Sequence, residues 1–193
     1  MELLQAWVPG QPWIGGADAS SLSKLGSYRF DDPDGEVGIE THLLSTADGQ
    51  ILQVPLTYRG APLASAGDSL ITTMTHTTLG DRWVYDGCHD PVYVHALMAA
   101  ILTGGREADL FTATASGLVQ EPVSTHVQGS GSLSLTELRE LSAPVVTHVE
   151  TVTRIEAGLA LNLLRVPTLG AAPAMLTGTW PGQMTPLLLA TID

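Results

Sequence analysis

Apolar and polar residues alternate in short runs between turn-forming clusters over most of this chain, the period-two pattern of strands that bury one face. Residues 10–27, rich in Gly, Ser and Ala, read as an entry loop, with Trp7 and Trp13 as apolar anchors beside Pro9 and Pro12. Residues 28–30 open a strand, and the acidic run DDPDG at 31–35 is strong turn chemistry. Residues 36–44 set Val37, Ile39 and Thr41 against Glu36, Gly38 and Glu40, then turn at 47–50 into a strand over 51–58, a hairpin. Residues 70–79 and 82–85 predict a second hairpin across Gly80 and Asp81.

The pattern then changes period. Asp90 before Pro91 supplies an N-cap acceptor and a ring suited to the first helical position, and Gly104-Gly105 is a ready stop, so a helix is predicted over 91–103. It is apolar on nearly every side and should be largely covered, His95 reading as a core imidazole bonded to backbone rather than a ligand. A helix lying in the curve of an antiparallel sheet meets that demand. The last third returns to strand: residues 145–155, the alternation of Leu159, Leu161 and Leu163, and residues 187–192. Residues 167–173 read as loop, 178–182 as a turn holding Trp180, and 133–141 as a short helix with a capping box at Ser134 and Glu137. The fold class expected is α+β, a mostly antiparallel sheet packed on one buried helix, in a single domain over 1–193, with a weak boundary left open at 104–109.

Composition narrows the partners. Eight Lys and Arg against twenty Asp and Glu give a net charge of −12, which argues against nucleic acid and anionic membrane, since both demand clustered cations. Cys88 is alone, so no internal disulfide forms. The amino terminus lacks the basic start and unbroken apolar run of a signal peptide, and the longest apolar stretch, 92–102, is too short to span a bilayer; a cytoplasmic location is expected.

Known catalytic spacings are missing from the sequence. No GxxxxGKS/T or GxGxxG loop is present, and the glycines of Gly129-Ser130-Gly131 have neither a lysine nor a following helix. No GxSxG elbow exposes a serine. Cys88 beside His89 reads as buried packing rather than a nucleophile. The six histidines show no zinc spacing, so no metal and no cofactor is expected. The acids Asp31, Asp32 and Asp34 have cation-binding chemistry, but such a run is ordinarily a solvated turn.

The densest polar and aromatic cluster is GDRWVYDGCHDP at 80–91. Arg82, Trp83, Tyr85, Asp86, His89 and Asp90 are the candidate ligand-binding residues, because aromatic faces stack on sugar rings and carboxylates accept hydroxyl protons. The same string also reads as structure alone: alternating strand faces, a turn at Asp86-Gly87, and a helix cap at Asp90.

The stretch WVYDGCHDPVYVHALMAAI, with LITTMTHTTLGDR before it, RFDDPDGEVGIE and VPLTYRGAPL upstream, and LTGTWPGQMTPLLLA at the end, resembles the stand-alone maltokinase N-terminal cap-like family, from Trp7 to the carboxyl terminus. The resemblance implies a cystatin-like curved antiparallel sheet with a helix. In maltokinases such a cap precedes a kinase body that uses ATP and magnesium to phosphorylate maltose, in a pathway of trehalose and α-glucan. Relatives sometimes bear a 1,4-α-glucan branching label. This sequence has neither a phosphate loop nor a catalytic-loop pattern onto which the kinase residues map, and it lacks the strand-helix rhythm of a branching-enzyme barrel.

The expectation is therefore a non-catalytic binding or regulatory module beside enzymes of maltose, trehalose or α-glucan metabolism, with a pathway enzyme or a sugar as partner. Two alternatives stand. One is a small enzyme acting on a sugar through Arg82, Asp86, His89 and Asp90; the other is a homo-oligomeric structural protein associating through sheet edges or through Trp7, Trp13 and Trp180.

Overall fold

A computed structural model of the chain describes residues 1–77, 80–114, 117–134, 136 and 142–193. Two antiparallel sheets face each other across one helix. The first has the order β1-β2-β3-β5-β4, from β1 (Ser23–Phe30), β2 (Gly38–Ser45), β3 (Ile51–Arg59), β4 (Leu70–His76) and β5 (Gly80–Asp86). A separate hairpin follows, β6 (Leu110–Thr114) with β7 (Gly117–Glu121). The second sheet takes β8 (His126–Gly129), β9 (Val145–Val149), β10 (Val152–Glu156), β11 (Ala160–Thr168), β12 (Ala174–Trp180) and β13 (Gln183–Ile192), in the order β8-β12-β13-β11-β10-β9. The α+β class with mostly antiparallel sheet is thus observed.

A short helix α1 (Glu2–Trp7) leads the chain, and α2 (Pro91–Thr103) lies between the sheets. The α2 start follows from Asp90, whose carboxylate accepts the Val92 N–H at 3.0 Å, and its end from Gly104 in the left-handed conformation. Tyr93, Val94, Leu97, Met98 and Ile101 are buried with Phe30 and Ile39 of the first sheet and Leu161, Leu163 and Leu189 of the second. Each large side chain so buried contributes about 1.5–3 kcal/mol, and this core is what joins the sheets. The other face of the first sheet forms a second core, where Leu52, Val54, Leu56 and Val84 meet Leu4, Val8 and Trp13.

Polar ties reinforce the same joint. Gln53, buried in β3, accepts from the Tyr28 hydroxyl at 2.7 Å and donates to the Leu164 and Leu189 carbonyls at 3.1 and 3.0 Å, so its amide is satisfied across both sheets. Gly131 and Leu133 N–H groups donate to the Ile101 and Leu102 carbonyls, closing the open end of α2. A Cβ on Gly129 or Gly131 would collide with the Ala100 or Leu102 carbonyl oxygen, which gives the Gly129-Ser130-Gly131 motif a close-approach role.

Several sequence expectations need correction. The entry loop is shorter than read: α1 and two 3-10 turns, Val8–Gly10 and Pro12–Ile14, precede β1, which begins at Ser23. Gly80 and Asp81 lie inside β5 rather than in its turn, and Leu79 is outside the described residues. Residues 145–155 make two strands that reverse at Glu150, whose φ is 51°. Pro167 belongs to β11, and Trp180 ends β12 instead of sitting in a turn. His95 is exposed on α2, so it is not a core imidazole; the helix keeps a narrow wet stripe. The helix read over 133–141 lies mostly outside the described residues. Among the described residues no helix is long and apolar enough to cross a membrane.

Candidate functional site

Strand alternation decides the fate of the 80–91 cluster. Successive side chains on β5 point to opposite faces, so Arg82 and Asp86 share one face of the sheet and Trp83 and Tyr85 the other. The structure therefore does not gather the six candidates around one cavity.

Each has a describable place. The Tyr85 hydroxyl is buried and accepts the Leu63 N–H at 2.9 Å. Trp83 is half-buried and borders a shallow hollow with Thr73 and Asp81. Asp90, wholly buried, holds Arg59 by two hydrogen bonds of 2.6 and 2.7 Å while capping α2. That pairing holds the Arg59 guanidinium above its ordinary pKa. His89 is half-buried, and burial depresses its pKa. Asp86 accepts the Cys88 N–H at 3.1 Å and pairs with Arg165 at 2.5 Å.

Arg165 was not singled out in the sequence. It is fully buried in β11, its Nε donates to the Thr153 hydroxyl at 2.8 Å, and its guanidinium carbon lies 4.3 Å from the Trp13 ring centroid. Burial alone would pull the guanidinium pKa down; Asp86 outweighs it and keeps the group charged. The neighbouring Cys88 thiol is buried and pushed well above its ordinary value, which suits packing rather than nucleophilic attack. This centre ties three parts of the fold together: the amino-terminal segment through Trp13, the first sheet through Asp86, and the second through Arg165.

A sizeable cavity lies elsewhere, an open groove of about 600 Å³ beside the first sheet. Lys24, Arg29, Glu40, Tyr58 and Arg82 line it from the sheet, and Leu110, Val123 and Ser124 from the hairpin region. Of the six candidates only Arg82 borders this groove. Cross-strand pairing of Gly38 with Tyr58 leaves the tyrosine ring unopposed by a side chain on β2. Glu40 pairs with Lys24 at 3.4 Å and lies 3.7 Å from His42. Burial works to raise the Glu40 pKa but is outweighed by His42, the Ser27 hydroxyl and Lys24, which hold it below its ordinary value. Burial lowers that of His42 despite Glu40 beside it. Burial and Glu40 both raise the Tyr58 phenol, so it stays a neutral donor and acceptor.

The groove pairs a half-buried aromatic ring with cations and hydroxyls, the surroundings of a polar small molecule that has one apolar face. Sequence reading missed Lys24, Glu40 and Tyr58. The usable signal was scarcity: in a chain with eight cations, each one's partner is worth asking about.

Among the described residues no group of three or more His, Cys, Asp and Glu is placed to hold a metal ion. The acidic turn at 31–35 is organised from within, the Asp32 carboxylate accepting N–H groups of Asp34, Glu36 and Val37 at 2.8–3.2 Å.

No curated protein matches the chain. Residues 7–90, which contain all five strands of the first sheet and stop at the cap of α2, match the family model described as the maltokinase N-terminal cap domain, and over that stretch the chain resembles that family as its sequence indicates.

Proposed function

We propose that this chain is a non-catalytic binding or regulatory module acting in the cytoplasm beside enzymes of maltose, trehalose or α-glucan metabolism, with the groove around Tyr58 as its ligand site. In this reading the first sheet and α2 form the curved, cystatin-like arrangement of the cap family, and the whole chain works as one domain. The observation that carries the reading is where the groove lies: its sheet wall, from Lys24 to Arg82, falls inside the stretch that matches the maltokinase cap.

The enzyme reading draws less support. It needs Asp86 and Asp90 at a substrate, and both carboxylates are already engaged by Arg165 and Arg59 inside the protein. Isothermal titration against maltose, trehalose, maltose 1-phosphate and glycogen tests the binding reading, together with a pull-down for pathway enzymes. Saturable heat with one of these ligands, abolished by Tyr58→Ala, is expected; silence in both experiments removes the proposal.

A second reading has its own observation. The β6–β7 hairpin leaves Leu118 74% and Phe111 53% exposed, an apolar strip suited to association with another chain. Sedimentation over a hundredfold concentration range should reveal self-association, and Leu118→Ser should weaken it.

A further inference from the structure

Among the described residues five of the seven Lys and Arg side chains are occupied. Arg59, Arg106, Arg154 and Arg165 each hold a carboxylate, and Lys24 holds Glu40. Among the described residues Arg29 and Arg82 are the arginines without an ion pair, although the chain has twenty acids to offer. Both line the same groove, where Glu40 is the one acid of the lining. Counting Lys24, Arg29 and Arg82 against Glu40 leaves this spot positive on a protein of net charge −12. The distant negative charge is screened beyond about 8 Å at physiological ionic strength, so the local set decides what enters.

The register separates the two arginines. Arg29 pairs across from Glu40 on β2, whereas Arg82 stands on β5, three strands from β1 at roughly 4.8 Å per strand. One small anion cannot engage both. Arg82 is the closer to the tyrosine: Tyr58 pairs with Val84, and Arg82 is the next residue of β5 on that face. A ring resting on Tyr58 therefore brings a substituent within reach of the Arg82 guanidinium. That group makes a single described hydrogen bond, from Nη1 to the Asp81 carbonyl at 3.0 Å, leaving most of its five N–H donors free. The groove volume, about 600 Å³, is that of a small-molecule site.

We infer that the groove takes a phosphate monoester carried on a ring, with Arg82 donating to the phosphate oxygens, Tyr58 meeting the ring face, and Arg29 adding positive field from the far side. Guanidinium and phosphate match in planar, charge-assisted hydrogen bonds, which is why a partnerless arginine beside an aromatic ring favours this ligand class. The inference rests on the groove being the ligand site and adds what that site selects.

The test is titration of the full chain with glucose, maltose, glucose 1-phosphate, AMP and inorganic phosphate, repeated with Arg82→Ala, Arg29→Ala and, as a distant control, Arg154→Ala. Glucose 1-phosphate or AMP should bind more tightly than glucose and than inorganic phosphate, and which of the two does so separates a sugar from a nucleoside body. Arg82→Ala should weaken the phosphorylated ligand about 10- to 100-fold, Arg29→Ala less, and Arg154→Ala not at all. Equal affinity for glucose and glucose 1-phosphate, or an Arg82→Ala protein that keeps the preference, overturns the inference while leaving the module reading intact. No binding by any of the five probes overturns the groove as a site and the inference with it.

Discussion

Two charged places sit on the same face of β5, four residues apart, and they have opposite fates. Asp86, at the end of the strand, is sealed against Arg165 beneath Trp13; Arg82, near its start, faces an open groove and pairs with no carboxylate. The first is a charge pair taken out of water, whose attraction must offset desolvation before it adds anything. The second keeps its water and its unused donors, so its contribution to stability is small and its capacity to bind is intact. The difference teaches that a polar cluster in sequence is not a unit: one strand serves packing at one end and solvent at the other.

The sharpest way to break that contrast is to remove one partner at the sealed end. Arg165→Met leaves Asp86 buried without its cation and should cost about 3–5 kcal/mol in urea unfolding. Adding Asp86→Leu to the same protein should recover much of that loss, because the double variant has no uncompensated charge. A double variant as unstable as the single would show that the pair adds stability beyond mutual neutralisation.

A smaller effect is expected at Asp90, where the carboxylate serves two partners at once. Asp90→Ala removes the α2 cap and the two bonds to Arg59 and should cost about 2–3 kcal/mol. Asp90→Asn retains a capping oxygen but loses the ion pair, so its cost should fall between wild type and alanine. Thermal unfolding of the three proteins gives the order directly.

Asp90 also shows how far the sequence was readable. Its capping role follows from local chemistry, a short acceptor before proline and an apolar run, and α2 appears over the residues that pattern marks. Period-two runs likewise revealed β2, β3 and β5. What failed depends on distance in the chain. Nothing near Asp86 announces Arg165, 79 residues away, and nothing near Gln53 announces the Leu189 carbonyl. The amino-terminal segment looked like loop because it is rich in Gly, Ser and Ala, yet Trp13 folds under the first sheet once Leu52, Val54 and Leu56 offer a surface. The β6–β7 hairpin was missed because its strands are short and exposed, with no buried face to impose alternation. The groove needed the register of four strands and the segment after α2, information that no local window holds.

The pH dependence sharpens the contrast in a different way. Burial lowers the pKa values of His42, His89 and His148 below their ordinary 6.5. The unfolded chain takes up protons as pH drops through 6.5 while the folded chain resists, so the unfolded state binds more protons and stability declines. That contribution is complete above 6.5 and fades below it, until the folded histidines are themselves protonated. Glu40, lowered from 4.5, adds a second loss that begins only as pH falls through that value. Urea titrations between pH 8 and pH 5 should be flat and then fall, and His42→Gln should make the fall shallower. An unchanged slope would mean that His42 is protonated alike in both states.

The smallest stability change belongs to Arg82, and that near-absence is what gives the comparison its force. Its guanidinium is half-exposed and bonded only to a neighbouring carbonyl, so truncation removes no ion pair and opens no cavity in the core. Arg82→Ala should shift unfolding free energy by no more than about 0.5 kcal/mol. A loss of more than 1.5 kcal/mol, read from the urea midpoint at unchanged slope, would mean that Arg82 is held by the fold much as Asp86 is. Its freedom to serve a ligand would then be gone, and the two ends of β5 would be alike after all.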